Sequence, residues 1–259
     1  NYCWWGNVGE VLLYDRPTYE WMDQHVDYEI GLFGNNPPPL NGMMNSPWIF
    51  WGRSPNKLHE KSKCEVTYNE RTIDSMFVGK IENSVQDKYR SKEWESVIEK
   101  FDLMKTQSTT YKYTQDEYLD MLSKSKYGLS MRGYGPKCNR EIELFALGVV
   151  PLLTPDVDTT YANALQENVH YFRVETPEDA KRIINETSES TWEKMSLAGK
   201  EWYNKNCSPD GSFEVTKQII EHVRENQKGK KTPEKTKPKS ICTFCTDMCK
   251  NDIDLLLKS

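Results

Sequence analysis

Leu129-Ser130-Met131-Arg132-Gly133-Tyr134-Gly135-Pro136-Lys137-Cys138-Asn139-Arg140-Glu141-Ile142-Glu143-Leu144-Phe145-Ala146-Leu147-Gly148-Val149-Val150-Pro151-Leu152-Leu153 reads in order as a strand, a glycine-rich loop, a helix and a second strand. The run 127–131 is short and apolar enough for a buried strand, and Gly133 and Gly135 permit the backbone angles of a tight loop that Pro136 then prevents from continuing as strand. The spacing predicts a helix from Cys138 or Asn139 that stops at Gly148, with Ile142, Phe145 and Ala146 on a core face and Arg140 and Glu143 sharing the other. The β-branched run 149–153 suits a parallel strand buried on both faces.

One face of this helix packs and the other is chemically armed. A helix N-terminus carries unpaired N–H groups and partial positive charge, so the loop before it suits a diphosphate, to which Arg132, Lys137 and Arg140 add full charges. Tyr134 and Gly135 belong to the same loop and count with the donor-binding residues, and Glu143, one turn further in, is placed to reach a sugar diol. The alternative is a plain surface pair between Arg140 and Glu143, of the kind that contributes about 0.3–0.5 kcal/mol.

The pattern Arg140-x-x-Glu143-x-x-x-x-Gly148-Val149-Val150-Pro151 resembles the signature of the exostosin-like glycosyltransferases and, more widely, of the donor half of GT-B glycosyltransferases, over about residues 70–225. The resemblance implies that the arginine contacts the donor's phosphates and the glutamate holds the ribose hydroxyls. It implies an α/β, GT-B-like architecture in which a Rossmann-type parallel-sheet donor domain follows a reduced N-terminal α/β acceptor domain. It also implies a UDP-sugar donor, inversion at the anomeric carbon, and catalysis that requires no metal or other cofactor. The compact size is similar to that of exostosin-like enzymes of large algal viruses, among which xylosyl transfer to a glycan is known, so UDP-xylose is the first donor expected. Lys80 and Arg90 resemble the basic positions after the first strand of that donor domain, although Arg90 also reads as a helix-surface residue.

Around this unit the chain alternates strands and helices from Thr72 onward, as a parallel sheet requires. Strands are expected at 74–80, 111–113 and 168–174. A helix is expected in 91–101, from Trp94, Val97, Ile98 and Phe101, and another after the N-cap Thr114. Thr176 with Pro177 opens a further helix, and one more is expected around 213–224. Asp156, in the polar loop after the 149–153 strand, lies where a nucleotide-sugar is met and is a donor-binding candidate, or else a simple helix cap.

The domain reading follows: 1–69 an acceptor-side domain, 70–205 the nucleotide-sugar donor domain, 206–226 a helix packing back across the cleft, 227–240 a lysine-rich disordered linker and 241–259 a cysteine-containing amphipathic tail. In 1–69, strands are expected at 11–14, 28–33 and 48–51, a helix at 18–25 and a proline-rich loop at 35–42. An inverting transfer needs a base for the acceptor hydroxyl, and the carboxylates offered there are Asp15, at a strand's end, and Glu10 beside a glycine turn. For either, capping or plain solvation is the competing reading.

Composition excludes some classes. Lys+Arg 34 against Asp+Glu 39 gives a net charge of −5, which bulk nucleic-acid binding does not favour. No G-x-G-x-x-G loop follows an early strand, which argues against a dinucleotide-dependent oxidoreductase or epimerase. A non-catalytic carbohydrate-binding or scaffold protein with the same fold is the alternative that stays open. The 7 Cys are scattered, which suits reduced thiols and a cytoplasmic setting, and Asn185-Glu186-Thr187 and Asn206-Cys207-Ser208 read as chance sequons. No apolar run reaches the ~20 residues of a membrane span. Cys242, Cys245 and Cys249 lack an obvious fourth ligand, so the tail reads as a docking helix, a route to a homodimer, rather than a zinc site.

Overall fold

A computed structural model describes residues 30–31, 44–45, 55–79, 81, 90–101, 112–133, 137–159, 161 and 163–227. The chain divides into two units, Asn1–Glu221 and His222–Ser259, and the sheet with its helices belongs to the first. Two short strands, β1 (Ile30–Gly31) and β2 (Met44–Asn45), pair in parallel. Then follow α1 (Pro55–Ser62), β3 (Ile73–Val78), β4 (Glu99–Phe101), α2 (Gln115–Ser123), β5 (Ser125–Ser130), α3 (Asn139–Ala146), β6 (Val150–Leu153), β7 (Phe172–Arg173), α4 (Pro177–Glu186), α5 (Glu189–Asn206) and α6 (Pro209–Gln227).

β3 to β7 form one all-parallel sheet in the order β4-β3-β5-β6-β7. The chain leaves β3 toward one edge and, after returning to β5, works toward the other. The β3/β5 neighbourhood is therefore the switch point of a doubly wound α/β sheet. Side chains alternate along the strands into two cores. Met76, Val78, Val149 and Leu153 pack with α1, α2, α3 and the C-terminal part of α5 on one face. Phe77, Tyr127, Leu129, Val150 and Leu152 pack with Trp94, Ala180 of α4 and Trp192 and Met195 of α5 on the other.

Local chemistry explains the element ends. Thr114 with Glu117 and Thr176 with Asp179 form capping boxes, Pro177 occupies the first turn of α4, and Ser188 caps α5. At the end of α3, the Val149 N–H donates to Leu144 O (2.9 Å) and the Gly148 N–H to Phe145 O (3.1 Å), with Gly148 at φ 64°. This is a Schellman stop, and it turns the chain directly into β6.

The structure departs from expectation in several places. The helix expected in 91–101 is a 3₁₀ turn, Lys92–Ser96, followed by β4. Trp94 is buried from the turn, and the rest pairs with β3 in the register Met76↔Glu99 and Val78↔Phe101, so sheet pairing overrides the helical spacing. The strand expected at 168–174 shrinks to β7 because Asn168, at φ 61°, closes a turn in which its N–H donates to Tyr171 O (2.8 Å). At 112–113 there is a bend, with Tyr113 against the core, instead of strand. Helices α1 and α5 were not expected, and α1 buries Leu58 in the core of the sheet unit although it falls within 1–69. The remaining expected elements of 1–54 apart from 30–31, and the 228–259 linker and tail with Cys242, Cys245 and Cys249, lie outside the described residues. Among the described residues, Cys64 and Cys207 are free thiols and no helix is long and apolar enough to cross a membrane.

Candidate functional site

The N-terminus of α3 is held from beneath. Glu141, third residue of the helix, accepts from the Cys138 N–H (2.5 Å) and from the Ser130 hydroxyl at the end of β5. That fixes Arg140 in the first turn, beside the ends of β3 and β5. Its Nη2 donates to Val78 O (2.8 Å), and its guanidinium lies 4.4 Å from the centre of the Phe77 ring. The apolar side of α3 belongs to one core and Phe77 to the other, so Arg140 reaches over the end of β3 from one face of the sheet to the other. Gly79 allows this approach: a Cβ there would come 3.0 Å from Phe77 Cζ and 3.1 Å from Arg140 Nη2.

A second guanidinium approaches the same ring. Arg90 lies 5.6 Å from the centre of Phe77, and its Nε donates to Arg132 O (3.0 Å), two residues past β5. Among the described residues no carboxylate is hydrogen-bonded to Arg140, and its Nε has no acceptor. Two guanidiniums thus flank one aromatic ring where the strand order reverses, an arrangement that suits an anion.

Beneath this edge lies a buried titratable cluster. Lys137, 2% exposed, has Nζ 3.8 Å from Asp158 Oδ2 and 4.4 Å from the centre of the Tyr161 ring. Burial pulls its ammonium below the ordinary lysine range, and Asp158 and then Glu141 push it back up. Burial raises the Glu141 carboxyl to about 7, against the lowering effects of Ser130, the Cys138 N–H and Arg140. Burial likewise pushes the Cys138 thiol up to about 12, which keeps it protonated and un-nucleophilic at neutral pH.

Of the donor-binding residues expected from sequence, Arg140 lies in the first turn of α3 against the end of β3, and Arg132 follows β5 by two residues, its carbonyl accepting from Arg90 Nε. Lys137 turns inward to Asp158. Glu143 does not share an exposed face with Arg140: it is 2% exposed, with its carboxylate accepting from Tyr118 Oη of α2 at 2.6 Å. α3 has α1, α2 and α5 around it as well as the sheet, so the side opposite its apolar stripe also meets protein. Asp156 is exposed in the turn after β6, whereas its neighbour Asp158 is the carboxylate that meets Lys137. Asp15, Glu10, Lys80, Tyr134 and Gly135 lie outside the described residues.

Sequence reasoning missed Glu141, Tyr118 and Asp158 and placed Arg90 on a helix surface. An acid at the third helical position was a readable signal for Glu141, obscured because the N-cap is Cys138 rather than Ser or Thr. Among the described residues no three His, Cys, Asp or Glu side chains gather where a metal ion would be held, and the positive charge at the switch point belongs to arginines. The sequon at Asn206 falls on a buried side chain that donates to Trp202 O (2.7 Å) and accepts from Asn163 Nδ2 (2.6 Å). No family model and no curated protein matches the chain.

Proposed function

We propose that the chain is an inverting, GT-B-like glycosyltransferase of the exostosin type. It takes a nucleotide-diphosphate sugar, UDP-xylose before other donors, and passes the sugar to a glycan hydroxyl in a cytoplasmic setting. One observation carries the reading: the Arg140 guanidinium lies across the end of β3 at the switch point, held by Val78 O and the Phe77 ring. Open α/β sheets bind nucleotides outside the strand ends at such a point. The fold alone does not select a chemistry, and the Arg140/Glu143/Gly148–Pro151 signature is what favours glycosyl transfer.

In the proposed reaction the acceptor oxygen attacks the anomeric carbon from the face opposite the diphosphate. The new glycosidic bond forms as the bond from that carbon to the phosphate oxygen breaks, and the acceptor proton passes to Asp15 or Glu10. Arg140 and Arg132 meet the charge of the departing nucleotide, while Lys137, turned inward to Asp158, acts from behind the loop, and Lys80, Tyr134 and Gly135 are the further donor-binding candidates. The burial of Glu143 against Tyr118 favours a second reading, a carbohydrate-binding or scaffold protein that keeps the sheet without turning over a donor.

Titration calorimetry of the full chain with UDP-, GDP- and dTDP-sugars separates the two. Selective heat with a UDP-sugar is expected. Loss of one charge-assisted contact in Arg140→Ala should weaken donor use roughly 10–150-fold, equivalent to about 1.5–3 kcal/mol, with the circular dichroism of the wild type retained. No selective heat with any donor would leave the scaffold reading in place.

A further inference from the structure

We propose that Arg173 is a positioning residue for the N-terminus of α3: by holding the turn after β6 it sets Asp158 against Lys137, two residues before the helix, and so fixes how that helix end meets a phosphate. The proposal rests on the donor reading above. Arg173 ends β7, the strand next to β6, and its Nη1 donates to Thr154 O (2.8 Å) and Val157 O (3.0 Å). Its Nη2 lies 3.4 Å from Tyr171 Oη, and its guanidinium lies 5.1 Å from the centre of the Tyr171 ring. Tyr171 Oη is in turn 3.4 Å from Thr159 Oγ1.

The turn is therefore tied to β7 at 154 and 157 and to Tyr171, just before β7, at 159, and Val157, 2% exposed, is anchored in the core. Asp158 sits between the tied residues, and its Oδ2 lies 3.8 Å from Lys137 Nζ. Among the described residues no carboxylate pairs with Arg173, so the donors seen on its guanidinium serve turn carbonyls and a tyrosine hydroxyl. With the clamp removed, Val157 O and Thr154 O lose the guanidinium, and the turn that carries Asp158 loses its tie to β7. Lys137 is buried, so it registers that loss directly through its own protonation.

The test uses the full chain with ¹⁵N-labelled lysine, and the Lys137 side-chain signal is identified by its loss in Lys137→Arg. Arg173→Met, which keeps the aliphatic stem, should lower the Lys137 titration midpoint in the same direction as Asp158→Asn. The double variant should move no further than Asp158→Asn alone, and Arg173→Lys, retaining one donor group, should fall between wild type and Arg173→Met. The Kd for UDP, measured by calorimetry, should rise about tenfold in Arg173→Met. An Arg173→Met protein that melts lower but keeps the wild-type Lys137 midpoint overturns the proposal, because a merely structural residue behaves that way. Absence of UDP heat in the wild type removes the donor reading and Arg173's part in it. That failure is told apart from the first because the Lys137 midpoint still moves.

Discussion

Glu141 is 1% exposed, and its carboxylate closes the N-terminus of α3 by accepting from the Cys138 N–H and the Ser130 hydroxyl. Burial outweighs these bonds and the nearby Arg140 charge, Glu143 adds in the same direction as burial, and the group titrates near 7 instead of 4.5. A carboxyl raised in the folded state contributes stability that is fully present below the unfolded pKa and is lost as the pH climbs through the folded one. The window is therefore about pH 4.5 to 7, with stability falling as pH rises. Thermal melts across that range should show the wild type losing stability toward neutrality and Glu141→Gln changing less, since the amide does not ionise. Parallel curves for the two proteins would mean that Glu141 is ionised throughout. At this scale, the residue types of the site were legible and their directions were not. Arg140 and Glu143 stand three apart, which marks a shared helix face, but spacing carries no information on whether a second layer of helices covers that face.

α3 is the element on which both cores and the candidate site depend, and small residues let it sit as close as it does. A Cβ on Gly128 of β5 would overlap Leu144, and one on Gly199 of α5 would come 2.9 Å from Phe145. Its C-terminal end is tied down by Arg71, 4% exposed, which donates from Nη2 to Leu147 O (2.9 Å) and from Nη1 to Ser125 O (2.8 Å) and Ser123 O (3.0 Å). Those carbonyls belong to the ends of α3 and α2 and to the start of β5, where partial negative charge collects at the helix ends. The guanidinium also stacks 4.9 Å from the Trp192 ring, and burial lowers its pKa only to about 10, so it stays charged at neutral pH. Arg71→Met should remove these donations and leave buried acceptors unpaired, at a cost of about 3 kcal/mol in urea unfolding, with an unchanged m-value. A loss below about 0.5 kcal/mol would show that water replaces the guanidinium there. The elements bounded by caps, α2, α4 and α3 with its glycine stop, were readable from single positions such as Thr114, Thr176 and Gly148. β4 was not, because its pairing partner, β3, is more than 20 residues away and outweighs the local spacing of Trp94, Val97 and Ile98.

At the scale of the molecule, an all-parallel sheet with helices on both faces concentrates its strength in the middle. β5 lies between β3 and β6, with both of its faces covered, and Leu129 is 0% exposed; β6 is buried along its whole length. The edges are β4, of 3 residues, and β7, of 2, and the Phe172 and Arg173 side chains of β7 are only half-buried. The alternation of strands and helices was legible in the order of apolar runs and caps. The strand order was not, because it depends on which long crossings pack best and no local residue encodes that. The same order places Arg140 at the switch point and leaves Arg173 on an edge strand, so the two should differ in local stability. In native-state hydrogen exchange, amides of β5 and β6 should exchange only through global unfolding and respond to denaturant with the full unfolding slope. Amides of β7 and of the turn after β6 should exchange through smaller openings that need little new surface, and Arg173→Met should speed exchange in that turn while leaving β5 unchanged. Uniform protection across β5, β6 and β7 would mean that the edge opens only with the whole sheet, so that the turn carrying Asp158 has no independent freedom for Arg173 to restrain.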